Sequence, residues 1–212
     1  MKRPEHAAAA TDDAASALIA DTLAEARVAL DALRENAPAL AAIAAAGRAM
    51  AETLRRGGRV FSCGNGGSMS DAMHFAEELS GRYRDDRPAL AAVAISDPGH
   101  LSCVANDYGW EAVFSRYIEA HGRAGDCLLA VSTSGASRNV LAAAAAAKAL
   151  GMTVVALTGR VDAPLGDAVD IAICTPSGRY ADRVQELHIK VIHILIELIE
   201  RALFAEDRGE AR

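Results

Sequence analysis

The chain has no cluster of lysine and arginine and no basic stripe. Its formal net charge is −6, and acidic and basic residues are interspersed along its 212 positions. Proteins that bind nucleic acids concentrate positive charge on one surface. The charge pattern therefore argues against a nucleic-acid partner.

The four cysteines include no Cys-x-x-Cys pair, the spacing found in many metal and redox sites. Three of them, Cys63, Cys127 and Cys174, lie in short apolar runs. We expect reduced, buried thiols in a cytoplasmic protein, because free cysteine is among the most buried residue types.

A secretory signal and a long uncharged apolar run are also lacking. Four alanines precede Thr11 near the start, whereas the apolar core of a signal peptide needs roughly 7–15 residues. The longest apolar run near the C-terminus, 191–204, carries Glu197, Glu200 and Arg201. It predicts a buried or interface helix, so we expect no membrane partner.

Short apolar runs alternate with helical patterns through most of the chain. Two alanine-rich helices are predicted before residue 58, one over about 12–36 and one after Pro38. Continuous apolar strands separated by helices are typical of a parallel sheet covered on both faces. We predict an α/β fold, a doubly wound five-stranded parallel sheet (59–212) preceded by two extra N-terminal helices (1–58). The predicted strands are 59–63, 91–96, 127–132, 153–158 and 171–175, and the helices between and after them are 68–80, 110–121, 137–150 and 181–204.

Polar residues gather where the predicted strands end, which is where such sheets bind ligands. Asn65, Gly66 and Gly67 form a turn that opens a helix, and backbone N–H groups at such a turn suit an anion. The segment Ser132–Thr133–Ser134–Gly135–Ala136–Ser137 is a second such turn, which predicts either a phosphate site or a plain helix N-cap. Asn106 and Asp107 lie in a segment expected to be a loop, where both are common turn formers.

His74 and Glu78 lie four residues apart, on one face of the helix that follows the first turn. Both can reach one metal ion or one sugar carbonyl, or can simply pack as surface residues. His193, in the apolar run of the last helix, fits a core histidine or a catalytic one. Gln185 and His193 are separated by roughly 12 Å along a regular helix and about 80° around it. Either that helix is irregular near Gln185, or the two residues serve neighbouring sites in an oligomer.

These motifs together resemble the sugar isomerase (SIS) domain family, whose fold is flavodoxin-like, and within it the phosphoheptose isomerases. The resemblance covers about residues 40–204. It is carried by CGNGGSMSDAMHFAEELSGRYRDDRP at 63–88, AISDPGHLSCVANDYGWEAVFSRY at 94–117, STSGAS at 132–137 and YADRVQELHIKVIHILIELIE at 180–200.

The resemblance implies residue roles. Glu78 and His193 are implied as the catalytic acid–base pair, and one zinc ion per subunit is implied on His74, Glu78, Gln185 and His193. The implied contacts to the phosphorylated sugar are Asn65, Gly66, Gly67, Glu78, Asn106, Asp107, Ser132, Thr133, Ser134, Ser137 and Gln185.

The implied activity is the aldose–ketose isomerisation of sedoheptulose 7-phosphate to D-glycero-D-manno-heptose 7-phosphate through an enediol(ate). This reaction is the first step of ADP- or GDP-heptose biosynthesis. The implied assembly is a cytoplasmic homotetramer with sites at subunit interfaces, in which residues 1–58 serve oligomerisation. The alternative is a SIS protein without catalysis, either a phosphosugar sensor or a scaffold that binds a replication initiator. The presence of both Glu78 and His193 favours the enzyme.

Overall fold

Two long helices precede the sheet. A computed structural model describes residues 5–204 except 177 and 179, with side chains from residue 13. The start of the expected range 1–58 and the end of the expected range 59–212 lie outside the described residues. Helix α1 spans Glu5–Glu35 and α2 spans Ala37–Arg55. Asn36 separates them because its side chain accepts a hydrogen bond from the N–H of Ala39, and Pro38 occupies the first turn of α2.

Five strands form one entirely parallel sheet, which confirms the predicted fold class. Their order is β2-β1-β3-β4-β5. The chain runs from β1 to one edge and then returns past β1 to β3, so the order switches direction between β1 and β3. The strands are β1 Val60–Gly64, β2 Ala92–Ala94, β3 Cys127–Ser132, β4 Thr153–Thr158 and β5 Ile171–Cys174.

Helices connect the strands and cover both faces of the sheet. A short 3-10 turn at Trp110–Ala112 precedes α5. The helices are α3 Gly67–Ser80, α4 Pro98–Tyr108, α5 Ser115–His121, α6 Arg138–Ala149, α7 Pro164–Asp167 and α8 Ala181–Phe204. Among the described helices, none is both long enough and apolar enough to cross a bilayer.

The apolar strands divide their side chains between two cores. In β3, Cys127 and Leu129 pack in a core with residues of α2, α3 and α8, whereas Leu128 and Ala130 pack in the other core with residues of α5 and α6. This alternation explains why the central strands are apolar throughout, since each face of the sheet is covered. It also places α3 and α8 on the same face.

The segment after β2 differs from the expected loop. It forms α4, because Asp97 caps the helix by accepting from the N–H of His100 at 2.7 Å and Pro98 occupies the first turn. Asn106 and Asp107 therefore lie in the last turn of a helix. Cys103, in the same helix, is exposed, contrary to the expectation of buried thiols, and all four cysteines are free.

Candidate active site

The first turn of the site follows β1 at the switch in strand order, where doubly wound sheets bind ligands. Gly66 has a φ of +56°, a conformation that L side chains avoid. A side chain at Gly64 would lie 2.6 Å from the carbonyl oxygen of Ser68. Glycine is therefore required at both positions. The N–H groups of Ser68, Met69 and Ser70 already donate to the carbonyl oxygens of Asn65 and Gly66, so the turn is closed by its own hydrogen bonds.

Asn65 is held by a partner that the sequence analysis missed. Its amide exchanges two hydrogen bonds, both of 2.8 Å, with the amide of buried Asn139 in the first turn of α6. Asn139 Oδ1 also accepts the N–H of Val140 at 3.0 Å, whereas the Asn65 amide keeps one N–H and one lone pair for other contacts. The pair joins the turn after β1 to the turn after β3.

His74 and Glu78 point into the same small space, together with Glu77. His74 Nδ1 lies 3.0 Å from Glu77 Oε1, and His74 Nε2 lies 3.6 Å from Glu78 Oε1. One ligand atom from each of the three residues lies within 4.8 Å of the others. The glutamate at i+3 thus adds a carboxylate to the predicted i,i+4 pair.

His193 of α8 completes this cluster within one chain. Its Nε2 lies 2.9 Å from His74 Nε2, and its ring packs against Tyr83 with centroids 5.5 Å apart. Glu78 and His193 therefore approach the same nitrogen of His74, from α3 and α8 respectively. The contact depends on the packing of two helices that are distant in sequence.

The hydrogen bonds assign the protons of the two rings in their neutral forms. We place the His74 proton on Nδ1, because that nitrogen faces the Glu77 carboxylate. His74 Nε2 is then bare and accepts the N–H of His193. Burial and neighbouring His74 lower the pKa of His193, and Glu78 opposes this shift. His193 is therefore neutral at pH 7 and offers its ring N–H as an uncharged hydrogen-bond donor.

The same atoms suit a divalent cation. Two ligand atoms bound tetrahedrally to one zinc ion lie about 3.3 Å apart, given Zn–N distances near 2.0–2.1 Å. The separations of 2.9 Å to His193 Nε2 and 3.6 Å to Glu78 Oε1, both measured from His74 Nε2, lie on either side of this value. Glu77 would orient His74 through Nδ1, as carboxylates commonly do behind metal-bound histidines.

Gln185 lies elsewhere on the same pair of helices. A Cβ added at Gly67 would lie 2.5 Å from Gln185 Nε2, so Gln185 packs on the first residue of α3, about two turns before His74. Helix α8 is unbroken from Ala181 to Phe204, so the irregular helix considered above is not observed. The structure does not bring Gln185 to the His74–His193 contact.

The hydroxyl turn, residues 132–137, follows β3. It lies next to the turn after β1, because β1 and β3 are neighbours in the sheet. Buried Ser132 contacts Ser137 through their hydroxyl oxygens at 3.1 Å and accepts the N–H of Gly135, whose φ is +63°. The Ser134 hydroxyl accepts the N–H of Ala136. Ser137 caps α6 by position, yet no side-chain hydrogen bond to the helix accompanies it.

Asn106 and Asp107 are not joined to these groups. The Asn106 amide donates to Asp107 at 2.7 Å, and the Asp107 carboxylate also contacts the thiol of Cys103. Both side chains are exposed on α4.

Asp71 is a further residue near the site that was not among the predicted site residues. Asp71 precedes His74 by one turn, and burial raises the pKa of its carboxyl to about 6. Its Oδ2 is buried without a hydrogen-bond partner within the described part of the chain. The i, i+3, i+7 spacing of Asp71, His74 and Glu78 was the available signal, since it places all three on one face.

Comparisons with known proteins agree with this geometry. The SIS domain family model matches residues 23–159. The phosphoheptose isomerase of Tolumonas auensis is 56% identical over 186 residues, which cover 88% of this chain and 97% of that protein.

Two solved structures share both fold and sequence. A phosphoheptose isomerase from Francisella tularensis matches with a TM-score of 0.83 and 34% identity, over 88% of this chain and 98% of that one. The phosphoheptose isomerase of Neisseria gonorrhoeae matches with a TM-score of 0.75 and 38% identity, over 90% and 98%. The chain therefore belongs to the SIS domain family and, within it, to the phosphoheptose isomerases, a group of aldose–ketose isomerases.

Proposed function

We propose that this enzyme converts sedoheptulose 7-phosphate to D-glycero-D-manno-heptose 7-phosphate, the first step of ADP- or GDP-heptose biosynthesis. The proposal rests on one observation: Glu78, His74 and His193 converge on the helix that begins at the switch point of a phosphoheptose isomerase fold. The substrate and the acid–base roles of Glu78 and His193 both come from the family resemblance, and the short distances between these side chains and His74 support those roles.

The reaction moves protons between adjacent atoms without changing the composition of the sugar. Glu78 takes the proton from C1, the C1–H electron pair forms the C1=C2 bond, and His193 supplies a proton to O2. His193 then accepts the proton of the O1 hydroxyl as C1=O forms, and Glu78 returns its proton to C2. Each residue ends in its starting state.

Substrate positioning is assigned to the two turns. Ser132, Thr133, Ser134 and Ser137 would bind the phosphate through hydroxyl and N–H groups, far from the reacting carbons. Asn65, Gly66, Gly67 and Gln185 would bind the sugar. Remote binding of this kind orients C1 and C2 for proton transfer.

The cofactor proposed is one zinc ion per subunit, held by His74, Glu78 and His193. When bound, zinc polarises a carbonyl and stabilises developing negative charge on oxygen. Gln185, implied as a fourth ligand, lies about two turns away on the same chain, so we propose that it serves the site through the sugar or from a neighbouring subunit.

We further propose a cytoplasmic homotetramer in which the N-terminal helices, residues 1–58, form subunit contacts. Four large apolar side chains of α1 are exposed in the single chain: Leu18, Ile19, Leu23 and Val28. Large exposed apolar side chains of this kind are expected to be covered by a partner. Asn106 and Asp107, exposed on α4, would then contact sugar in a site completed between subunits.

The direct test is to incubate the purified protein with sedoheptulose 7-phosphate and to follow heptose 7-phosphate by phosphorus NMR. We expect conversion, its loss after treatment with a chelator, and its return on adding zinc. Conversion that survives complete metal removal would eliminate the zinc proposal and leave the isomerase. The absence of conversion by the zinc-loaded protein would eliminate the proposed substrate.

Gly67→Ala tests the position of Gln185. The added methyl group would meet the Gln185 amide at 2.5 Å and displace it, while the N–H of residue 67 is retained. We expect kcat/KM to fall about five- to tenfold, the value of one lost hydrogen bond. The free energy of unfolding should stay unchanged or rise by up to about 1 kcal/mol, because alanine has a higher helix propensity than glycine.

The matched comparison is the same change in a Gln185→Ala background. If the methyl group acts by displacing Gln185, it should have no further effect on kcat/KM there. An equal loss in both backgrounds would show that residue 67 acts independently of Gln185.

A further inference from the structure

An arginine lies beside the hydroxyl turn, whose own residues carry no charge. Arg160, which follows β4, borders a cavity of about 160 Å³ that Thr133 and Ser134 also line. The opposite wall is formed by the start of α8, with Ala181 and Val184. A group bound to the hydroxyl turn would therefore have this side chain within its surroundings.

The backbone that carries Arg160 is fastened to the hydroxyl turn. The N–H of Gly159 donates to the carbonyl oxygen of Thr133 at 3.1 Å, and the N–H of Leu165 donates to that of Gly135 at 3.0 Å. A Cβ at Gly159 would lie 2.7 Å from Val184, so the approach is too close for any other residue. Arg160 is thus one residue away from a fixed contact with the turn.

The charge of Arg160 is available, in contrast to the charges of nearby arginines. Arg138, the first residue of α6, pairs with Glu111 at 2.9 Å, and Arg183 pairs with Glu186 at 2.7 Å. Arg160 is exposed and forms no ion pair with any residue that the structure describes. It also borders a second cavity, of about 480 Å³, together with Asp162.

We propose that Arg160 binds the phosphate of the substrate and selects phosphorylated sugars over free ones. The proposal rests on the proposed function only in placing a phosphate at the hydroxyl turn. Hydroxyl and N–H groups bind phosphate by geometry, whereas a guanidinium adds charge and a planar pair of donors that matches two phosphate oxygens. A sugar without a phosphate gains no binding energy from that charge, so Arg160 would favour phosphorylated sugars.

Arg160→Gln should raise KM for sedoheptulose 7-phosphate about ten- to a hundredfold, the range for loss of one charged hydrogen-bond pair. The value of kcat should change less than threefold, because the residue lies away from Glu78 and His193. The Kd of inorganic phosphate, measured by titration calorimetry in the absence of sugar substrate, should rise by a similar factor. Arg160→Lys should recover part of the binding, since the charge returns without the planar donor pair.

Arg138→Gln is the matched control. It removes the same charge beside the same turn, from a side chain that is already paired with Glu111. We expect its phosphate Kd to stay within threefold of the wild type. An equal rise of the phosphate Kd in both variants would overturn the proposal, because it would show a general effect of positive charge near the turn. An unchanged phosphate Kd in Arg160→Gln would also overturn the proposal.

The titration separates this proposal from the proposed function. Phosphate binding that depends on Arg160, in a protein that does not turn over sedoheptulose 7-phosphate, would support the phosphate contact and refute the substrate. Turnover with a KM that is insensitive to Arg160→Gln would refute the phosphate contact alone. A wild-type protein with no measurable affinity for phosphate would refute it as well.

Discussion

Replacing Glu78 with glutamine is expected to lower kcat by about 10²–10⁴-fold, the usual contribution of a general base. Glutamine keeps the shape of glutamate but cannot take the C1 proton. The carboxylate is mostly shielded from solvent and lies 3.6 Å from His74 Nε2, so it is placed among the other reacting groups. Exchange of the C1 hydrogen with deuterated solvent, followed by proton NMR, measures the step directly.

Glu78 is also a proposed zinc ligand, and a carboxylate bound to a metal is a poorer base. The bound zinc per subunit therefore has to be measured in the same variant. Loss of exchange with zinc retained would identify Glu78 as the base, whereas exchange at the wild-type rate would remove it from that role. Loss of both exchange and zinc, with both restored by excess zinc, would make it a ligand only.

Glu77→Gln is the matched comparison, because Glu77 lies one residue earlier and contacts the other nitrogen of His74. The Glu77→Gln change is expected to lower kcat only about ten- to a hundredfold, since Glu77 acts by orienting His74. A larger loss in Glu77→Gln than in Glu78→Gln would reverse the two assignments.

The sheet could be predicted because its strands are short apolar runs between helical patterns. Strands β3 and β4 were predicted with their observed bounds, whereas β2 is shorter than the predicted 91–96. Helix α4 was missed because Asp97 and Pro98 suit a turn as well as a helix start. Only the further hydrogen bonds of a helix decide between these, and they are not visible in the pattern of apolar residues.

The two histidines of α8 show where sequence reasoning stops. His188 is a core residue, fully buried, and burial lowers its pKa to about 4. His193, five residues later in the same helix, instead faces His74 on α3. Nothing local distinguishes them, because the difference lies in which helix packs against each face of α8.

Contacts between distant segments were likewise beyond prediction. The amide pair of Asn65 and Asn139 joins two turns that are 74 residues apart in the chain, with β2 and β3 between them. Such pairs depend on strand order, which the predicted elements do not specify. The residues within a single turn or helix, Gly66 and the pair His74 and Glu78, were recognisable because their geometry is local.

Arg87 joins the two helices that carry the candidate site. Its Nε lies 2.9 Å from Glu200 Oε1 on α8, with side chains only 4% and 1% exposed. Its other nitrogens donate to the carbonyl oxygens of Glu78, Leu79 and Gly81 at 2.7–2.9 Å. The last carbonyls of a helix have no partner within it, so the guanidinium completes the end of α3 and fastens it to α8.

Arg87→Met is expected to lower the free energy of unfolding by about 3–5 kcal/mol, because it leaves the Glu200 carboxylate buried without this cation. Urea unfolding at one fixed protein concentration measures the loss. The matched control is Arg201→Met, which breaks the exposed pair with Glu197 on the same helix and should cost less than about 1 kcal/mol. Equal losses of unfolding free energy in the two variants would contradict a stabilising role for the buried pair of Arg87 and Glu200.

A double variant, Arg87→Met with Glu200→Leu, separates the two roles of Arg87. Removing both charges should restore part of the stability, since an apolar pair avoids the cost of burying ions. Recovery should remain incomplete, because the carbonyl oxygens of Glu78, Leu79 and Gly81 still lack their donor. The end of α3 would then be free to shift against α8. The double variant should therefore have a kcat below that of the wild type even where its stability is partly restored, because the position of Glu78 relative to His193 depends on how α3 and α8 are joined.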